Sequence, residues 1–125
     1  MKKLIILISI ILLITGCGSS TKKESDNESK IEIVDCNKKD ELVNAGATLI
    51  DVREKDEYDE YHLDKAINIS YLVIQDKIES IISDKNKKIV VYCKSGKRSN
   101  IAAQKLIELG YKNVYDLGSV NNCEK

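Results

Sequence analysis

The sequence predicts an α/β domain: a mostly parallel sheet of five strands with helices on both faces. Three observations carry that prediction. From Ile31 onward, short β-branched runs alternate with stretches of helical spacing. The run Lys88-Ile89-Val90-Val91-Tyr92 is apolar after its first residue, as in a strand covered on both sides. Ser99 to Leu109 has the clearest helical pattern and stops at Gly110. Strands that alternate with helices join through right-handed crossovers, which make them parallel and cover both sheet faces.

The elements follow in order. Ile31 to Val34 reads as a strand, and Asn37 caps a helix that runs through Asn44 and ends at Ala45-Gly46. Thr48 to Val52 is a second strand, Glu54 to Tyr61 a short polar helix, and Ala66 to Ile69 a short strand. Ser70 caps a helix reaching about Ile82, with Val73, Ile74, Ile78, Ile81 and Ile82 on one face. Ser83 to Lys87 is a charged surface loop, and Val114 to Leu117 the last strand. In such sheets ligands bind beyond the carboxyl ends of the strands. Asp51, Cys93 and the residues after Leu117 therefore share one rim.

Composition narrows the function classes. The 125 residues suffice for one domain and a short leader. Trp, Phe and Pro are absent, so the core is expected to lack large aromatic anchors and to be modestly stable. Lys2 and Lys3 lie in the leader; without them 18 basic residues face 20 acidic ones, a net charge near −2. No Lys/Arg run is interleaved with aromatics, which excludes a charge-driven nucleic-acid partner.

The amino-terminal stretch has the layout of a secretory signal peptide. Met1-Lys2-Lys3 is positive, Leu4 to Ile14 is apolar apart from Ser9, and Thr15-Gly16 are small. As a helix that apolar run spans about 17 Å, short of a hydrocarbon core of roughly 30 Å. Ile14-Thr15-Gly16-Cys17 resembles the lipobox of bacterial lipoproteins, which implies lipid attachment at Cys17. Gly18 to Lys30 is wholly polar and reads as a flexible tether with a reach of about 20 Å. The expected organisation is a signal peptide over 1–16, a lipidated Cys17 and tether to residue 30, and a folded domain over 31–125. That makes the domain extracytoplasmic and membrane-anchored.

The chemistry is expected in Cys93-Lys94-Ser95-Gly96-Lys97-Arg98-Ser99, a loop between a buried strand and a helix. Such a loop turns successive backbone N–H groups inward and makes an anion nest. Gly96 permits a backbone conformation closed to other residues. Arg98 and Lys97 add positive charge, and the helix dipole adds a partial one. A thiol there should ionise below its usual value of about 8.5, and the same nest would stabilise a persulfide anion. The plainer alternative is that Cys93 is a small apolar residue in a turn. A structural cysteine needs no basic, glycine-containing loop around it.

Two motifs carry a resemblance to a known family. Leu49-Ile50-Asp51-Val52-Arg53-Glu54, then Glu57-Tyr58, His62-Leu63 and Ala66-Ile67-Asn68-Ile69, form the first. Tyr92-Cys93-Lys94-Ser95-Gly96-Lys97-Arg98-Ser99, with Ala102-Ala103 and Leu109-Gly110-Tyr111 before Asn113-Val114, form the second. From Ile31 to about Val120 the chain resembles a single-domain rhodanese. The resemblance implies a parallel five-stranded rhodanese-like sheet and transfer of a sulfane sulfur through a persulfide on Cys93. A small donor such as thiosulfate would load it. Cyanide, a small thiol or a partner protein's thiol would take the sulfur. Lys94, Ser95, Gly96, Lys97, Arg98 and Ser99 would bind substrate, with no cofactor and no metal.

Asp51, Arg53 and Glu57 are read as structural support: Arg53 pairing with Glu57, and Asp51 accepting hydrogen bonds from loop amides. His62, the only histidine, is assigned packing and hydrogen bonding. In the family the first and last strands are neighbours, so Cys36 and Cys123 are expected at one sheet edge. A disulfide between them is one reading, and a thiol or persulfide redox cycle in which Cys123 or Cys36 resolves Cys93 is another. A non-catalytic sulfur-carrying module is the remaining alternative. Two departures stand out: Asp64-Lys65 in place of a Pro-Gly turn, and Gly118 to Cys123 in place of a Gly-Gly-Ile and Trp ending. Related phosphatases place five residues between loop cysteine and arginine, whereas Cys93 and Arg98 have four between them, a tighter nest suited to a single sulfur.

Overall fold

The computed structural model describes residues 30–124. The expected signal peptide, Cys17 and the tether before Lys30 lie outside the described residues. Strands β1 (Ile31–Ile33), β2 (Thr48–Asp51), β3 (Ile67–Asn68), β4 (Lys88–Cys93) and β5 (Asn113–Ser119) alternate with helices. These are α1 (Cys36–Asn44), α2 (Lys55–Glu60), α3 (Ile74–Ile81) and α4 (Lys97–Glu108), and a 3-10 helix closes the chain at Val120–Cys123. The sheet order is β1-β5-β4-β2-β3 and every pairing is parallel. The predicted fold class is the observed one.

The central strand explains the two-sided core. Ile89, Val91 and Cys93 face α3 and α4 and pack with Ile74, Ile78, Ala102, Ala103 and Leu106. Val90 and Tyr92 point the other way, into a cluster with Leu42 of α1, Leu49 and Leu117. Each fully buried Ile or Leu contributes roughly 1.5–3 kcal/mol relative to exposure. The two largest buried side chains are Tyr92 and Tyr111, so tyrosines supply the aromatic anchors that composition had led us to expect missing. Their hydroxyls are satisfied: Tyr92 Oη accepts from the Leu63 amide at 3.0 Å, and Tyr111 Oη donates to the Ile82 carbonyl.

Several boundaries differ from expectation for local reasons. Helix α1 is capped by Asp35, whose carboxylate accepts from the Lys38 amide at 2.8 Å, rather than by Asn37. A charged oxygen suits the positive helix start better than an amide oxygen. Ser70 does not cap α3. Its hydroxyl donates to Glu54 and its carbonyl takes the Val73 and Ile74 amides in a turn, so the helix starts at Ile74. Ile81 consequently lies half exposed, outside the core face. Cys36 opens α1 instead of ending the first strand. It forms a disulfide with Cys123 across an 87-residue separation, with Cα atoms 5.3 Å apart. Among the described residues, no helix is long and apolar enough to cross a membrane.

Candidate active site

Parallel pairing brings the ends of β2, β4 and β5 to one rim, with Asp51 beside Tyr92, Tyr92 beside Gly118, and Cys93 beside Ser119. Beyond Cys93 the chain makes a three-residue loop, Lys94–Gly96, and enters α4 at Lys97, two residues before the predicted start. Gly96 caps that helix with φ +97°, a conformation that disfavours any side chain. Its amide donates to Cys93 Sγ at 3.0 Å. Cys93 carries no exposed surface, while Lys94, Ser95 and Lys97 are exposed and Arg98 is half buried.

Two of the loop's carbonyls are held by serine hydroxyls. Buried Ser99 donates its hydroxyl to the Gly96 carbonyl at 3.0 Å, and Ser119 donates to the Lys94 carbonyl. A Cβ placed on Gly96 would touch Gly118 Cα at 3.6 Å, so β5 supports the loop from beneath. The result is a short loop with an amide directed at a thiol, closing onto a twelve-residue helix. A backbone amide and the positive end of a helix are groups that attract anions in general.

The charged residues around it do not pair as the sequence suggested. Arg53 folds back onto Asp51, with Nε and Nη2 at 2.7 to 3.1 Å from the carboxylate. Asp51 also accepts the Arg53 amide at 2.9 Å, a loop N–H as expected. Glu57 binds Arg98 instead, through Nη1–Oε2 at 2.6 Å and Nη2–Oε1 at 2.9 Å. The physical reason lies in α2. Glu57 closes a capping box by accepting the Glu54 amide at 3.1 Å, which fixes its carboxylate where Arg98 reaches it. The Arg98 hydrogen bonds hold the Glu57 carboxyl down at about 2, and Glu57 raises Arg98 in turn. Arg98 therefore does not present the uncompensated charge the anion nest was expected to gain from it.

Three contributors went unread in the sequence. Buried Asp116 accepts the Gly118 amide at 2.8 Å, a turn that an Asp-x-Gly sequence at a strand end advertises. Asn68 donates to the carbonyls of Asp51 and Arg53 at 3.1 and 2.9 Å. Ser119 was expected at the rim with the other residues after Leu117, but its bond to the Lys94 carbonyl had no sequence signal. His62 stacks on Tyr58 at 3.7 Å between ring centroids, with Nδ1 2.8 Å from the Tyr58 carbonyl, the packing role assigned to it. A cleft of about 220 Å³ opens beside the loop between Arg53, Glu57 and Tyr61 and the terminal residues Val120, Asn121 and Glu124, and Lys94 lines it too. Among the described residues, no cluster of His, Cys, Asp and Glu is placed to hold a metal ion.

A family model described as a rhodanese-like domain matches residues 35–122. The chain belongs to the rhodanese-like family. Among its relatives, the thiosulfate sulfurtransferase PspE of Escherichia coli (strain K12) is 36% identical over 73 residues, covering 58% of this chain and 70% of that one. The thiosulfate sulfurtransferase GlpE of Coxiella burnetii is 41% identical over 69 residues, covering 55% of this chain and 63% of GlpE. The match thus spans less than two thirds of GlpE. A solved rhodanese with anions from E. coli superposes with a TM-score of 0.60 at 33% identity, covering 63% of this chain and 93% of that one. Protein hp1203 of Helicobacter pylori 26695 gives 0.56 at 40% identity, covering 64% and 73%. The rhodanese motifs around Asp51 and Cys93 thus sit on a rhodanese fold.

Proposed function

We propose that this chain is a sulfurtransferase that carries a sulfane sulfur on Cys93. The observation that supports it most is the Gly96 amide directed at Cys93 Sγ in a loop that closes onto α4. In the loading step the Cys93 thiolate attacks the outer sulfur of a donor such as thiosulfate. A new S–S bond forms, the donor's S–S bond breaks, and sulfite leaves with the electron pair. The terminal persulfide sulfur carries the negative charge, within reach of the loop amides. An acceptor, cyanide or a thiol, then attacks that outer sulfur and releases Cys93 as thiolate. Lys94, Ser95, Gly96, Lys97, Arg98 and Ser99 frame the substrate, and Asp51, Arg53 and Glu57 support the frame. Cys93 is fully covered, so the exposed side chains Lys94 and Ser95 are the loop groups best placed to give way to a donor.

The redox alternative loses its resolving thiol. Cys123 and Cys36 are bonded to each other, which leaves Cys93 the free cysteine among the described residues. The domain over 31–125 is read as extracytoplasmic, following a signal peptide over 1–16 and tethered through residues 17–30 to lipid on Cys17. The lipobox-like Ile14 to Cys17 supports that reading. So does the disulfide, since such bonds persist in oxidising compartments.

Thiocyanate formation from thiosulfate and cyanide tests the activity. The wild type should turn over and Cys93→Ser should fall to background; turnover surviving that substitution removes the mechanism. Intact-mass spectra of the isolated protein should show one added sulfur on Cys93 and acyl chains on Cys17. An unmodified Cys17 in membrane-extracted protein removes the anchor.

A further inference from the structure

A chain of contacts runs from the disulfide to the sulfur. Cys123 ends the terminal 3-10 helix, and its bond to Cys36 fixes that helix to the start of α1. Asn121 donates its amide to Ser119 Oγ at 3.1 Å, so the hydroxyl is held as an acceptor by the 3-10 helix. With its proton, the same hydroxyl donates to the Lys94 carbonyl inside the loop. Asn122 donates to the Leu117 carbonyl at 2.9 Å and braces the turn on which Gly96 rests. Val120, Asn121 and Glu124 meanwhile form one wall of the cleft beside the loop.

We propose that Ser119 is a positioning residue for sulfur transfer, and that the Cys36–Cys123 disulfide keeps it in register. The inference rests on the sulfurtransferase reading of Cys93. The hydroxyl of Ser119 takes up the Lys94 carbonyl, which would otherwise be free to turn toward the sulfur and repel its negative charge. With that carbonyl tied back, the loop presents amides to the persulfide. Without the disulfide, the 3-10 helix has one fewer tether, Ser119 loses its alignment, and the loop opens. The disulfide therefore shapes a site it never touches.

The test compares the full-length chain with three variants: Ser119→Ala, the double variant Cys36→Ser/Cys123→Ser, and Tyr111→Phe. The last loses a buried hydrogen bond to Ile82 and serves as a destabilised control away from the loop. Thiocyanate kcat and KM are measured where all four proteins are folded, together with the rate of iodoacetamide labelling at Cys93, read by peptide mapping. Ser119→Ala and the double variant should lose about tenfold in kcat, the loss of one well-placed hydrogen bond, with KM for thiosulfate little changed. Read at a pH high enough to keep the thiol ionised in every protein, labelling of Cys93 should quicken in both as the loop opens, and Tyr111→Phe should match the wild type in every readout.

Wild-type kcat and labelling rates in Ser119→Ala overturn the proposal. So does an equal loss of kcat in Tyr111→Phe, which would make the effect one of stability. If the double variant does not fold, Ser119→Ala decides, because it keeps the disulfide. If the wild type makes no thiocyanate, the sulfurtransferase reading fails on its own. Labelling of Cys93 still decides the loop coupling, and unchanged rates refute it.

Discussion

Two ion pairs stand at the same rim and do different work. Asp51 and Arg53 are two residues apart, almost wholly buried, and joined by three side-chain contacts and one backbone contact. Glu57 and Arg98 are 41 residues apart, about a quarter exposed, and link helix α2 to the first turn of α4. The first pair closes a turn on itself and fixes where β2 ends. The second ties Glu57, which lines the cleft, to the helix that follows the sulfur loop, and it determines the charge there. Burial makes the first a matter of folding, and partial exposure leaves the second open to function.

The comparison breaks first at Asp51. Replacing it by Ala leaves the Arg53 guanidinium buried without its counter-charge, which costs about 3–5 kcal/mol of stability. Urea unfolding monitored by circular dichroism would measure this. A loss below about 1 kcal/mol would mean that the Tyr61 carbonyl, which Arg53 also reaches, is sufficient compensation.

Glu57→Gln should cost less, about 1 kcal/mol, because its partner stays partly hydrated. Its larger consequence is kinetic. Uncovering the Arg98 charge should lower KM for the thiosulfate dianion about threefold and steepen its dependence on salt. Steady-state assays at two ionic strengths read both. Equal KM values and equal salt slopes would show that Arg98 does not bear on the sulfur loop.

These two pairs also mark how far the sequence could be read. Strand β4 and helix α4 are long and strongly patterned, so their residues announced both the sheet and the loop around Cys93. The Gly96 amide directed at Cys93 followed, since a strand, a glycine and a helix start in direct succession leave the backbone few alternatives. Ion-pair partners are different. Asp51 and Glu57 are both within chemical reach of Arg53, and only the path of α2, set by its capping box, separates them. The link from Arg98 to Glu57 depends on the crossover between β2 and β4, which no local pattern encodes. The same holds for Ser119, whose role arises from a strand pairing with Cys93. Tyr92 and Tyr111 were readable as aromatic residues but not as core, because their burial depends on carbonyl and amide partners 29 positions away.

Acid gives the smallest effect and the sharpest sign. The Glu57 carboxyl lies at about 2 in the folded protein against 4.5 for the ordinary group, chiefly because Arg98 binds it. A carboxyl depressed on folding stabilises the native state above its unfolded value and ceases to do so as pH falls through its folded one. The stability difference between wild type and Glu57→Gln should therefore be full at pH 6, roughly halved by pH 3, and gone near pH 2. Other carboxylates titrate in the same range, but they do so in both proteins and cancel in the difference. A difference for Glu57→Gln that stayed constant down to pH 3 would show that its stabilising role does not depend on the charge that binds Arg98, since a glutamine keeps the capping box. Arg98 would then owe its position to α4 alone.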